Sequence, residues 1–208
     1  MRLDDQRAIG EPSGAHPRSR EVSQVARSNM DLRSVLLEIQ AALDGAGIDH
    51  ALIGVLALAA HGAARATMDL DLLADGERSE DVDRLLRARG YECLLRNENV
   101  ANYASEDAER GRVDFLFASR EYGRAMLRRA RPYPVLGRLI AVVDASDLIG
   151  LKVQSSSNDS SRLRRDMADI ERLLQSAELD LDRVHEYFSL FDREKELDVL
   201  LAERRSRR

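Results

Sequence analysis

Apolar residues recur at helical spacing in Leu32, Val35, Leu36, Ile39 and Leu43. This pattern predicts a first amphipathic helix capped by Asp31 and ended by Gly45 and Gly47. The run Ile48 to Ile53 then reads as a strand, Gly54 as a turn, and Val55 to Ala60 as a short apolar helix. A second strand follows through Asp69-Leu70-Asp71-Leu72-Leu73, where carboxylates and leucines alternate. Glu77–Arg89 has helical periodicity with Val82, Leu85 and Leu86 inward, and Gly90 closes it. Strands are expected at Tyr91–Leu95, Val100–Ser105 and Arg112–Phe117, a helix at Arg120–Arg129, and a hairpin joining Tyr133–Leu136 to Leu139–Val143 across Gly137-Arg138. From Ser146 onward the period is helical, at Ser146–Gln154, Leu163–Gln175, Leu181–Phe191 and Arg193–Arg205. The polar stretch from Ser155 to Ser161 reads as a loop between helices.

This order predicts an α/β (α+β) fold: a small mixed sheet over residues 30–144, then a C-terminal helical bundle over 145–208. Residues 1–29 combine Gly10, Pro12, Gly14 and Pro17 with scattered charges and no apolar period, so a disordered leader is expected. A true start at Met30 would explain that leader equally well.

The alternation around Asp69 brings in chemistry. Residues two apart on a strand share a face, so Asp69 and Asp71 stand side by side while Leu70 and Leu72 point into a core. Two carboxylates that close repel unless a cation sits between them. Oxygen ligands favour a hard divalent ion, Mg²⁺ or Mn²⁺, shared with substrate phosphates.

Composition narrows the setting. A chain of 208 residues with 44% hydrophobic content suits one compact domain with a helical appendage. The longest apolar run, Ala51 to Ala60, is 10 residues, well short of the roughly 18 that a membrane span needs, and no secretory signal is seen. One cysteine, Cys93, excludes an internal disulfide, fits a reducing cytoplasm and is expected in a strand core. His50 and His61 bracket the first strand and helix and are read as packing groups. The net charge of −5 argues against a generic nucleic-acid coat. The cations are 30 arginines and only 2 lysines, however, with arginine concentrated at Arg110–Arg138 and Arg162–Arg165. A local RNA patch and a solvated, arginine-biased surface both account for that concentration.

Gly54, Arg65, Thr67, Asp69 and Asp71 together resemble the nucleotidyltransferase superfamily with its polymerase-beta-like fold, most nearly the minimal bacterial AbiEii/MenT type, many of which are toxins. The shared string is a glycine turn, a short helix, then Arg-x-Thr-x-Asp-hydrophobic-Asp. Val55 departs from it, standing where the family has a second small residue. Val113-Asp114-Phe115 resembles the strand carrying that family's third carboxylate, which implies that Asp114 is a general base or a further metal ligand. A solvated edge-strand aspartate is the plain alternative. Asp147 to Gln154, with Lys152, and Arg165 to Leu174, with Asp166 and Asp169, resemble the family's two C-terminal motif helices.

The resemblance spans roughly Ile48 to Gln175 and implies a sheet of nucleotidyltransferase type. It implies Asp69, Asp71, Asp114 and Lys152 as the catalytic set, with Asp69, Asp71 and Asp114 as the metal ligands. Gly54, Val55, Arg65, Thr67, Lys152, Asp166 and Asp169 would contact a nucleoside triphosphate, Lys152 as the clamp on its tail. One of Asp166 and Asp169 would orient Lys152 or a nucleotide group, and the other reads as an exposed helical charge. Three functions remain open: a toxin-like transferase acting on a tRNA 3′ end or a protein hydroxyl, with a cognate antitoxin as a further partner; a small-molecule transferase of the aminoglycoside type; and a non-catalytic nucleotide-binding module.

Overall fold

In the computed structural model the described residues are 30–63 and 69–206. The expected leader, Arg65 and Thr67 therefore lie outside them. The elements are α1 (Leu32–Gly45), β1 (His50–Leu52), α2 (Gly54–Ala60), β2 (Asp69–Asp75), a 3₁₀ turn (Gly76–Arg78), α3 (Ser79–Arg87), β3 (Tyr91–Arg96), β4 (Val100–Ser105), β5 (Arg112–Ala118), α4 (Glu121–Arg129), β6 (Arg131–Val135), β7 (Arg138–Val142), α5 (Ala145–Asn158), a second 3₁₀ turn (Ser160–Arg162), α6 (Leu163–Ser176), α7 (Leu181–Ser189) and α8 (Glu194–Ser206). The seven strands form one sheet in the order β3-β4-β5-β2-β1-β7-β6. β2–β5 and β1–β7 are parallel pairs and the other pairs are antiparallel, so the sheet is mixed as expected.

Alternation explains which face the sheet buries. Leu70 and Leu72 of β2 and Val113, Phe115 and Phe117 of β5 share one face and are almost wholly removed from water. Tyr103 of β4 lies on that face too, and its hydroxyl donates to Asp83 of α3 at 3.1 Å. α1 packs alongside, touching both β2 and α3. Each such buried Leu or Phe contributes about 1.5–3 kcal/mol of transfer free energy. The apolar cluster continues through Leu148, Ile149 and Val153 of α5 to Ile170, Phe188 and Leu197 of α6, α7 and α8.

Asp31 caps α1 as expected, accepting from Ser34 N at 3.1 Å and Ser34 Oγ at 2.6 Å. The β6–β7 turn differs by one residue from the expected one. Leu136 and Gly137 both have positive φ, at 49° and 84°, so the two-residue turn precedes Arg138. β6 is an edge strand carrying Pro132 and Pro134, which cannot donate to a further strand.

Three expectations need correction. The serine-rich segment is not simply a loop, because α5 runs on to Asn158. Ser156 Oγ donates back to Lys152 O at 2.8 Å, and Arg193 of the α7–α8 turn donates to Ser156 Oγ at 2.7 Å and Ser157 Oγ at 3.1 Å, so tertiary contacts hold these serines helical. Cys93 is half-buried beside a register shift in β3 rather than within the core. In α3, Leu85 is only half-buried, while Asp83 is drawn inward by Tyr103 and by Arg87 at 2.7 Å.

Candidate active site

The face of β2 and β5 turned away from that apolar core carries the carboxylates, which are half-buried. β2 runs parallel to β5 in a register that sets Asp71 opposite Asp114 and Asp69 opposite Arg112. Neighbouring strands lie about 4.7–4.9 Å apart, so the Asp71 and Asp114 side chains leave the sheet as neighbours. On the far side of Asp114, Asn102 of β4 is its register partner. Asn102, Asp114 and Asp71 thus form one polar row across three strands.

Burial pushes the Asp71 carboxyl up to about 6, and the charges of Asp114 and Asp69 add to the rise. Lys152 and Arg162 oppose it, which places both cations within electrostatic reach. A desolvated carboxylate beside two like charges is an unfavourable arrangement for an apo protein, and a bound cation relieves it.

Gly54 closes the site from the side. Ile53 N donates to Asp71 O at 3.1 Å, so the turn after β1 is tied to the middle of β2. Gly54 has φ +62°, and a Cβ built there would meet Asp71 Oδ2 and would lie 2.5 Å from its Cγ. Only glycine satisfies both the backbone angle and that approach. Val55, the next residue, is buried in the first turn of α2, so what it offers a ligand at this turn is backbone and not side chain.

Lys152 of α5 is buried, and its ammonium lies 2.9 Å from Asp166 Oδ1 and 2.9 Å from Asp169 Oδ2, both on α6. Both aspartates are fully buried. Arg162 Nε approaches Asp166 Oδ2 at 3.6 Å and Arg172 Nη1 donates to Asp169 Oδ1 at 3.1 Å. Asp166 and Asp169 therefore hold the ammonium rather than standing open to solvent.

The structure brings Asp69, Asp71, Asp114 and Gly54 together, with Lys152 in electrostatic range. Among the described residues no three His, Cys, Asp or Glu side chains stand in ligating geometry. Asp114 is instead approached by Arg112, whose Nη2 lies 3.3 Å from Oδ1 and 3.5 Å from Oδ2. Arg112, Asn102 and Arg162 also lie at the site, and no motif in the sequence marks them. Arg112 was the most accessible of these, since it lies two residues before Asp114 on the same strand face. Asn102 needed the β4–β5 register, which no local pattern encodes.

His61 Nε2 pairs with Val143 O at 2.9 Å and its ring packs against Tyr133, while His50 Nδ1 pairs with Ile48 O at 2.9 Å.

The chain matches no protein-family model and no curated protein. Solved structures match its fold. The antibiotic-resistance factor ANT(2″)-Ia in solution aligns with a TM-score of 0.59 at 14% identity, covering 85% of this chain and 97% of that one. ANT(2″)-Ia in complex with adenylyl-2″-tobramycin aligns with a TM-score of 0.61 at 15% identity, over 77% and 96% of the two chains. An antigenic nucleotidyltransferase-like protein from Paracoccidioides brasiliensis aligns with a TM-score of 0.51 at 16% identity, over 84% and 94%. The mixed sheet and helices of this chain are thus arranged as in nucleotidyltransferase-type folds.

Proposed function

We propose that this protein is a Mg²⁺-dependent nucleotidyltransferase moving a nucleoside monophosphate from a nucleoside triphosphate to a hydroxyl acceptor. The observation that carries the reading is the register that sets Asp71 against Asp114, with Asp69 on the same face and Gly54 stripped of any Cβ where it meets Asp71. An all-oxygen donor set beside a desolvated carboxylate fits a hard divalent ion. When bound, that ion neutralises triphosphate oxygens and draws charge from the α-phosphorus.

The residues divide the remaining work. Asp69 and Asp71 would hold the metal. The backbone after Gly54 approaches the phosphates, and Lys152 turns the one donor not engaged by Asp166 and Asp169 toward the triphosphate tail. Asp114 takes the proton of the acceptor hydroxyl. The hydroxyl oxygen forms a bond to the α-phosphorus, the bond from that phosphorus to the bridging oxygen breaks, and pyrophosphate departs with the electron pair.

The arginine distribution bears on the acceptor. Within the rich stretch, Arg110 pairs with Glu38, Arg112 with Asp114, Arg124 and Arg128 with Glu121, and Arg129 with Asp147. Charge already matched by carboxylates attracts phosphate backbones weakly, which favours a small molecule, of the kind seen as adenylyl-2″-tobramycin in complex with ANT(2″)-Ia, over a tRNA 3′ end. Protein and RNA acceptors remain the second reading. The experiment is transfer from α-labelled nucleotide to a panel of aminoglycosides, to total tRNA and to cell-extract protein. Label entering RNA alone would reverse the acceptor assignment. A thermal shift with each triphosphate and Mg²⁺ separates any transferase from a non-catalytic module that merely keeps the fold.

A further inference from the structure

The row that carries Asp71 and Asp114 does not end at Asn102. On the edge strand β3, Leu95 stands in register opposite Asn102. Asp71, Asp114, Asn102 and Leu95 thus cross β2, β5, β4 and β3 in one line.

An inserted residue puts Leu95 there. Cys93 pairs with Tyr103 and Leu95 with Asn102, so β3 uses one residue more than β4 over this step. A regular strand would set Leu94 opposite Asn102 and turn Leu95 toward Ala101, which lies on the buried face with Phe115. The shift gives that position to Arg96, which reaches Glu80 of α3 at 2.5 Å, and brings Leu95 to the side of the carboxylates. Leu94 and Leu95 are left 48% and 53% exposed. Bulges of this kind recur beside active sites, where they re-aim a side chain. A leucine kept out of the core forgoes up to about 1.5–3 kcal/mol of burial, which an apolar ligand resting on it would recover.

Asn102 lies midway along this strip, half-buried, its amide unengaged by any described residue. That amide offers two donors and an acceptor, a match for a hydroxyl group. Two strand spacings of about 4.7–4.9 Å separate Asp114 from Leu95, the span of a small molecule. The neighbouring row carries Arg112, Ala104 and Glu92, one cation and one anion, so this wing of the sheet has no excess of either sign to select a highly charged acceptor.

We propose that Asn102 and Leu95 form the acceptor subsite, and that the acceptor is a small hydroxylated molecule carrying an apolar group. The apolar group rests on Leu94 and Leu95, and the Asn102 amide holds a hydroxyl next to the one that faces Asp114. The inference rests on the transferase reading and names the acceptor's chemistry within it. Both residues act on which acceptor binds and not on the triphosphate.

The test is an NMR titration of the full-length protein, labelled at leucine methyls and at nitrogen. The probes are octyl β-D-glucopyranoside, kept below its micelle-forming concentration, and methyl β-D-glucopyranoside, which has the same ring without the chain. The octyl compound is expected to shift the Leu95 methyl and Asn102 amide signals together and saturably, and to bind roughly tenfold or more tightly than the methyl compound. Asn102→Ala and Leu95→Ser are each expected to weaken that binding roughly 3–10-fold. The thermal shift produced by the triphosphates with Mg²⁺ is expected to be unchanged in both variants, which also reports that they fold. Equal binding of the two glucosides, or chain-dependent binding indifferent to Asn102→Ala, would overturn the inference. So would a wild-type dimer that Leu95→Ser dissociates while neither glucoside moves the Leu95 signal, since the leucines would then be covered by a second copy. Any of these results with the triphosphate shift present removes this inference alone, whereas no triphosphate shift in the wild type removes the transferase reading with it.

Discussion

Asp71 bears an electrostatic cost that a ligand can relieve, and this makes it testable in the apo protein. Its folded-state carboxyl titrates at about 6 against an ordinary 3.8, chiefly through burial and then through Asp114 and Asp69. A raised carboxyl favours the folded state most where it is protonated. Its contribution is therefore lost as pH rises from about 4 through about 6. Asp71→Asn removes that loss. The stability of the variant relative to wild type is expected to grow across this window, by up to about 3 kcal/mol at neutral pH, each unit of pKa being worth about 1.4 kcal/mol. Chemical denaturation at pH 4 and pH 7 measures it. A variant that is less stable than wild type at pH 7 would mean the carboxylate is favourably partnered, contrary to this account. Gly54→Ala meets both a φ of +62° and the Asp71 carboxylate. The backbone term alone costs about 1–2 kcal/mol, and displacement of Asp71 is expected to abolish transfer. A Gly54→Ala protein with wild-type activity would show that the turn is not part of the site.

Among the elements, two buried ionic clusters fasten the C-terminal helices, one of them beside the site. Asp147 at the start of α5 is fully buried, accepting from Arg129 Nε at 2.9 Å and Nη2 at 2.8 Å on α4, and from the Tyr187 hydroxyl at 2.7 Å on α7. Asp147→Ala leaves Arg129 and Tyr187 with a lost partner and is expected to destabilise by about 3–5 kcal/mol; Tyr187→Phe, which removes one donor, is expected to cost about 1–1.5 kcal/mol. Denaturant midpoints would check the ordering, and equal losses would mean that Asp147 matters only through Tyr187. The Lys152 cluster joins α5 to α6 in the same manner. Lys152→Ala removes the shared ammonium and leaves Asp166 with Arg162 and Asp169 with Arg172, so a loss of about 1–3 kcal/mol is expected in addition to any loss of transfer. Full activity with unchanged stability would remove both roles.

At this scale the sequence was legible where periodicity was strong. The alternation at Asp69–Leu73 and Val113–Phe117 located both carboxylate-bearing strands and their buried faces, because one side of each is uniformly apolar. The serines after Gln154 were not legible as helix. Their helicity depends on Arg193, 37 residues beyond Ser156, and no local propensity reports so distant a partner. Leu85 and Asp83 exchanged burial for the same reason, since Tyr103 of β4 supplies the hydrogen bond that Asp83 needs.

For the molecule as a whole, the site exists only because β2 and β5, separated in sequence by a helix and two strands, lie side by side and parallel. The sequence placed three aspartates on two strands; the pairing order, and with it the Asn102–Asp114–Asp71 row, came from the tertiary fold. Among the described residues no helix is long and apolar enough to cross a membrane. With a net charge of −5 and much of its arginine already matched by carboxylates, the surface offers little long-range attraction to nucleic acid. Binding to total tRNA is accordingly expected to be weak and lost at physiological salt, measurable by filter retention across a salt series. Tight retention at that salt would return RNA to the front of the acceptor classes.

Transfer from α-labelled nucleotides decides whether the Asp69–Asp71–Asp114 face performs the proposed nucleotidyl transfer. Wild type and Asp71→Asn, both verified as folded, are incubated with each of the four labelled triphosphates, Mg²⁺ or Mn²⁺, and a mixture of aminoglycosides, tRNA and extract protein. Label is expected in at least one acceptor with wild type, with pyrophosphate released in equal amount, and neither is expected with Asp71→Asn. Equal labelling by the two proteins, or none by wild type with any triphosphate, would contradict it.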